Sequence, residues 1–233
     1  METNSAAFLT GDPLQSEFTE DLALSLLKRP DLQPELLEKF AKNRVLMKSR
    51  KVKLALIQHP KTPRHILLPL LRHLFTFDLM RVALTPTIAA DIKMAAEGNL
   101  IGRLEKISMG EKLSLARRAS GRVAAALLNE PEPRVIDAAL QNGRLTEIAI
   151  VKQLTRSKTN PVLIRAICNH HKWRSRADIR IALLGGENTP IECALELVRS
   201  LPKVVAQEII DNSDLSEITK TRLRDAIGME AAE

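Results

Sequence analysis

The chain has 233 residues, 45% of them apolar and only 3% aromatic, with 35 Lys and Arg against 28 Asp and Glu for a formal net charge of +7. That apolar content can fill a core, which excludes a wholly disordered chain, while no apolar run approaches membrane-spanning length. Glu2 stands near the start and no basic residue precedes Lys28, so a cleavable export signal is not expected and the compartment read from the sequence is the cytoplasm.

Residues 1–18 carry Ser, Thr, Asn, Gly and Pro without periodicity and read as a flexible N-terminal tail. A single α-helical domain is then expected over 19–227, followed by a C-terminal tail over 228–233. Within it two words alternate. The first is a charged residue, an aliphatic, usually alanine, and another apolar residue. Its copies are Asp21-Leu22-Ala23-Leu24, Lys53-Leu54-Ala55-Leu56, Arg81-Val82-Ala83-Leu84, Arg122-Val123-Ala124-Ala125, Glu147-Ile148-Ala149-Ile150 and Arg180-Ile181-Ala182-Leu183. Arg103-Leu104 and Lys203-Val204-Val205 are degenerate members. Alanine favours helix and lets neighbouring helices approach closely.

The second word opens another helix, marked in order by Pro34, Pro63, Thr87, Gly110, Pro133, Pro161, Pro190 and Ser216, with successive starts 23 to 29 residues apart. Proline suits a first helical turn because its missing N–H would find no intrahelical partner there. Past Pro190, the residues Ile191, Ala194, Leu195 and Val198 fall on one stripe of a 3.6-residue helix. Pro69 lies inside the helix that Pro63 opens and predicts a kink or an early end. Gly143 predicts a helix stop in a left-handed conformation, and Gly185-Gly186 a turn between helices. No segment shows the alternation of a half-buried strand. A period in this range is the signature of stacked hairpins, none of which buries its apolar face alone.

The segments Leu54-Ala55-Leu56-Ile57-Gln58-His59-Pro60-Lys61-Thr62-Pro63 and Ala182-Leu183-Leu184-Gly185-Gly186-Glu187-Asn188-Thr189-Pro190 resemble the A-x-N-P-x-T-P signature of leucine-rich-repeat-variant and related HEAT-like bacterial solenoids. Arg122-Val123-Ala124-Ala125-Ala126-Leu127-Leu128 is similar to the Arg-and-alanine helix of HEAT repeats. The resemblance covers roughly residues 20–227 and implies an all-α, right-handed α-solenoid of about eight short hairpins. It implies no activity, since such folds carry protein-binding, nucleic-acid-binding and occasionally enzymatic members.

Charge is unevenly placed. Residues 1–27 hold five acids and no base, residues 187–233 ten acids and five bases, and the middle thirty bases against thirteen acids, a net +17. Such a body attracts acidic protein, nucleic acid or anionic membrane. Its densest run is Lys42, Arg44, Lys48, Arg50, Lys51 and Lys53, which reads either as a phosphate-neutralising surface or as a solvated helix face. The only tryptophan, Trp173, sits in an expected loop with Lys172, Arg174 and Arg176, either as an interface anchor or base-stacking platform or as a plug between hairpins. Lys53, Arg81, Arg103, Arg122, Arg180 and Lys203 form a column, a ladder for an acidic partner or a set of bridges between hairpins. Cys168 and Cys193, 25 residues apart, are expected as reduced core cysteines, a disulfide being the alternative.

His170 and His171 are adjacent rather than four apart on a helix, and neither a phosphate-binding glycine loop, a Gly-x-Ser-x-Gly elbow nor a His-Glu-x-x-His motif occurs. No metal, cofactor or catalytic residue is therefore expected. A HEAT-like DNA glycosylase would want aromatic side chains to hold a flipped nucleotide, and the chain has no Tyr and one Trp. The expected function is a non-enzymatic protein-binding scaffold with a concave helical surface and an acidic partner, held by Arg44, Lys48, Arg50, Lys51, Lys172, Trp173, Arg174 and Arg176. The competing reading is a nucleic-acid-binding protein that grips backbone phosphates. A contiguous basic stripe favours nucleic acid, and scattered charge favours a protein.

Overall fold

In the computed structural model, which describes residues 18–156, 159–213 and 215–228, all regular structure among the described residues is helical: sixteen α-helices and one 3-10 turn. The tail expectations for 1–17 and 229–233 lie outside the described residues. The chain divides into two compact units, Met1–Leu100 and Ile101–Glu233.

The first unit holds α1 (Glu20–Leu26), α2 (Pro34–Lys42), the 3-10 turn Leu46–Lys48, α3 (Arg50–Gln58), α4 (Arg64–Leu71), α5 (Thr76–Leu84) and α6 (Ala90–Ile101), which ends at the boundary. Here α3 packs against both α1 and α5, so the helices of the first word lie side by side. Leu37, Phe40, Leu56, Leu71 and Leu79 are buried without measurable exposure.

The second unit holds α7 (Met109–Arg118), α8 (Gly121–Leu127), α9 (Pro133–Leu140), α10 (Glu147–Leu154), α11 (Pro161–Cys168), the short α12 (His171–Arg174), α13 (Ala177–Leu184), α14 (Ile191–Arg199), α15 (Lys203–Asp211) and α16 (Glu217–Ala226). Two rows are visible in its packing. One runs α8, α10, α13, α15 and the other α7, α9, α11, with α14 beside α16.

Local chemistry sets the helix starts. Pro34, Pro133 and Pro161 occupy the first helical turn, while Pro63 and Pro190 are N-caps, one residue outside. Ser216 caps α16 by accepting from the Thr219 amide. The Gly110 marker is one residue late because Ser108 and Glu111 form a reciprocal capping box that starts α7 at Met109. The Thr87 marker is three residues early, since a turn from Thr85 to Ile88 intervenes before α6. Arg103-Leu104 lies in turns and forms no helix. As Pro69 predicts, α4 stops at Leu71, and the Arg72 amide turns back to the Pro69 carbonyl.

Within each unit, polar side chains tie some helices to ones earlier in the chain. The His59 Nε2, after α3, bonds the Arg29 carbonyl after α1 at 2.9 Å. Asn142, after α9, donates to the Ala116 and Ala119 carbonyls at the end of α7 at 2.8 and 3.1 Å. Asn160, after α10, donates to the Glu130 carbonyl after α8 at 2.8 Å, and the Trp173 indole, after α11, to the Leu140 carbonyl ending α9 at 2.8 Å. A helix leaves its last carbonyls without intrahelical donors, and here donors 23 to 33 residues later bond that region of the chain. Thr62, Thr159 and Thr189 act within the hairpin, donating to the carbonyls of Leu56, Leu154 and Leu183 near the ends of α3, α10 and α13. In Thr62-Pro63 and Thr189-Pro190 this is the physical role of the threonine before the proline.

Three expectations are corrected. Gly143 is not left-handed, since among the described glycines only Gly228 has a positive φ, 69°. The turn after α9 is made instead by the Asn142 carboxamide oxygen, which accepts from the Arg144 amide at 2.8 Å. The buried stripe of α14 is Ala194, Leu197 and Val198, with Ile191 and Leu195 half-buried. Cys168 and Cys193 are joined in a disulfide rather than reduced, because their separation of 25 residues returns the chain to within 6.2 Å between Cα atoms.

Candidate functional site

In the first unit the basic run does not form one surface. Arg50 lays Nε and Nη2 on the two oxygens of Asp78, each at 2.7 Å, and its guanidinium also covers the Phe75 ring at 5.6 Å. The Asp78 side chain is nearly buried, and its hydrogen bond, then its charge, raises the Arg50 pKa above the ordinary value. Arg50 thus fastens α3 to α5, while its side chain stays largely exposed. Lys42 pairs with Glu38 at 3.6 Å. Lys51 faces a cleft between α1 and α3, whereas Lys53, two residues on, lines a different cleft beside α2 and α4. Arg44 and Lys48 are exposed on the connection around the 3-10 turn.

In the second unit Trp173 belongs to the short α12 rather than a loop. It is 3% exposed, with its N–H satisfied and Lys172 Nζ 4.2 Å from the ring centroid. Of the two expectations for it, the buried position matches the plug: the indole is packed behind the end of α9. Arg174 pairs with Glu196 of α14 and reaches the Cys168 carbonyl, so it too joins elements. Lys172 and Arg176 are exposed. Of the expected column, Arg180 bridges to the Ser200 carbonyl and hydroxyl at 3.2 Å, just past α14, and Arg122 faces a cleft.

That cleft, of about 710 Å³, lies between α8 and α10, and four basic side chains line it against two acids. Arg122, Arg144, Lys152 and Arg156 line it against Glu105 and Glu130. Glu130 is already neutralised by Lys112, whose Nζ lies 2.6 Å away with both side chains largely buried. Ala149 and the half-buried Ala126 form part of its wall, and their short side chains leave the space open. Gly121 sets its end: a Cβ there would meet the Arg144 carbonyl oxygen at 2.2 Å, so only glycine lets the 141–146 connection sit against the start of α8.

The sequence reading missed Arg144, Lys152 and Arg156, which belong to no dense run. Their signal was position: Lys152 and Arg156 follow the alanine word of α10 by three and seven residues, on the face that carries Ala149. Comparison of the chain with protein-family models, curated proteins and solved structures gives no match.

Proposed function

We propose that the chain is a right-handed α-solenoid of about eight HEAT-like hairpins that works by binding, as a non-enzymatic scaffold for an acidic protein. The two rows of the second unit, the side-by-side α1, α3 and α5 of the first, and four hydrogen-bonded links between successive segments support the solenoid reading. The observation that carries the functional reading is the cationic cleft between α8 and α10. Its four basic side chains come from α8, the 141–146 connection, α10 and the turn after α10, so a partner with several carboxylates meets them together. Such complementarity speeds encounter and fixes register.

Protein is favoured over nucleic acid because the basic run of the first unit is dispersed: Arg50 and Lys42 are paired, and Lys51 and Lys53 line separate clefts. The test is fluorescence anisotropy of the full chain with labelled polyglutamate and with labelled duplex DNA across a salt series. Tighter binding of polyglutamate is expected. Tighter binding of duplex, with the steep log-linear salt dependence of phosphate neutralisation, would replace this reading with the nucleic-acid one.

A further inference from the structure

The cationic cleft does not end at α10. A second cleft, of about 810 Å³, is bounded by the end of α10, α13 and α15, and Arg156 lines both. The second has a different character: Ile181, Val205 and Ile209 line its apolar part, and Glu187 and Glu208 stand on it as exposed acids. Ile181 is 39% exposed, and on the flanking helices Ile148 and Val204 are 79% and 77% exposed. The two adjoining clefts of this row of helices therefore differ: basic side chains outnumber acids in the first, and aliphatic side chains with two exposed acids line the second.

We infer that this row binds a single extended peptide segment of a partner protein, with Asp or Glu side chains in the α8–α10 cleft and aliphatic side chains against Ile181, Val205 and Ile209. The inference rests on the acidic-partner reading above and sharpens it to a segment and a direction. Charge complementarity selects the occupant. Carboxylates match Arg144, Lys152 and Arg156 in the first cleft and are repelled by Glu187 and Glu208 in the second, so the acidic part belongs to the first. A nucleic-acid strand carries phosphate along its whole length and would set that charge beside the same two glutamates and the aliphatic patch. Burying partly exposed aliphatics adds affinity that salt does not remove.

The experiment uses the full chain and a fluorescein-labelled peptide with consecutive glutamates followed by isoleucine and valine. Two companion peptides replace either the glutamates by glutamine or the aliphatics by serine. Both replacements are expected to weaken binding, but only the glutamate half to confer salt dependence. In the protein, Lys152→Glu with Arg156→Glu, and separately Ile181→Ser, should each weaken the parent peptide by about tenfold or more, the size of a lost charge or apolar contact. Arg134→Glu, on α9 in the other row, should leave it unchanged, with Trp173 emission reporting an intact second unit in every variant.

Binding lost equally on Arg134→Glu, unaffected by the cleft variants, or undetectable for the parent peptide would overturn the groove. If the Lys152/Arg156 variant loses polyglutamate while Ile181→Ser and the serine-replaced peptide bind as tightly as their parents, the acidic-partner reading survives and this groove does not. If duplex DNA outcompetes every peptide, both fall.

Discussion

Replacing Asn142 with alanine tests the claim that consecutive hairpins depend on each other's polar groups. Asn142 is 1% exposed and makes three hydrogen bonds: two from its amide to the Ala116 and Ala119 carbonyls at the end of α7, and one from the Arg144 amide to its oxygen. A side-chain hydrogen bond contributes a net of about 0.5–1.5 kcal/mol, and removal leaves the three backbone groups without partners, so the expected loss is about 2–4 kcal/mol. The assay is urea unfolding followed by tryptophan emission. Trp173 is the only tryptophan, and its indole is bonded to Leu140, two residues before Asn142, so the signal reports the second unit. With a urea slope of about 1–3 kcal/mol per molar, the midpoint should fall by about 1–2 M. Asn129→Ala, which removes an exposed side chain bonded to Ala126 and Gln153, should cost less than about 0.5 kcal/mol. Equal shifts for the two variants would refute the reasoning.

Three further outcomes follow from the geometry. Reduction of the Cys168–Cys193 disulfide, which closes a 25-residue loop, should destabilise the second unit by roughly 3 kcal/mol on the chain-entropy account; labelling of both cysteines in the unreduced native chain would contradict the bond. Gly121→Ala should displace the Arg144 connection, lower the melting temperature and weaken glutamate-rich peptide binding together, and an unchanged melting temperature would show that the close approach is not maintained in solution. The Arg29 hydrogen bond, then a backbone hydrogen bond and the Arg29 charge, hold the Asp31 carboxyl below its ordinary range. The contribution of that pair should therefore be complete above the ordinary aspartate range and be lost only as pH falls through the depressed value; a carboxyl titration by NMR with an ordinary midpoint would exclude the pair.

Much of the helical framework was legible because proline and the alanine word are local signals. Pro34, Pro133 and Pro161 start helices for a reason internal to their own turn, and Pro69 ends α4 for the same kind of reason. Where a neighbour decided, the reading slipped. Ser108 with Glu111 moved the start of α7, and the Asn142 carboxamide did what Gly143 was expected to do.

The candidate site was less legible, because a dense run of cations in sequence says nothing about what each side chain meets. Arg50 met Asp78, 28 residues away, and Arg174 met Glu196, 22 away, so both became clamps. Trp173 was drawn inward by a carbonyl 33 residues earlier. Conversely Arg144, Lys152 and Arg156 are scattered in sequence and gathered only when α10 packs on α8. The repeated alanine also divides by context: Ala23, Ala83 and Ala124 are buried as close helix contacts, whereas Ala55, Ala149 and Ala182 line clefts.

The most direct measurement is far-ultraviolet circular dichroism of the excised segment 133–168, containing α9, α10 and α11, compared with the same helices in the full chain. Deprived of the α7 and α8 ends that Asn142 and Asn160 bond, and of the Trp173 donor to Leu140, the segment should give a coil spectrum with no cooperative melt. A helical spectrum with a sharp thermal transition would show that these helices stand without their neighbours, and would contradict the account.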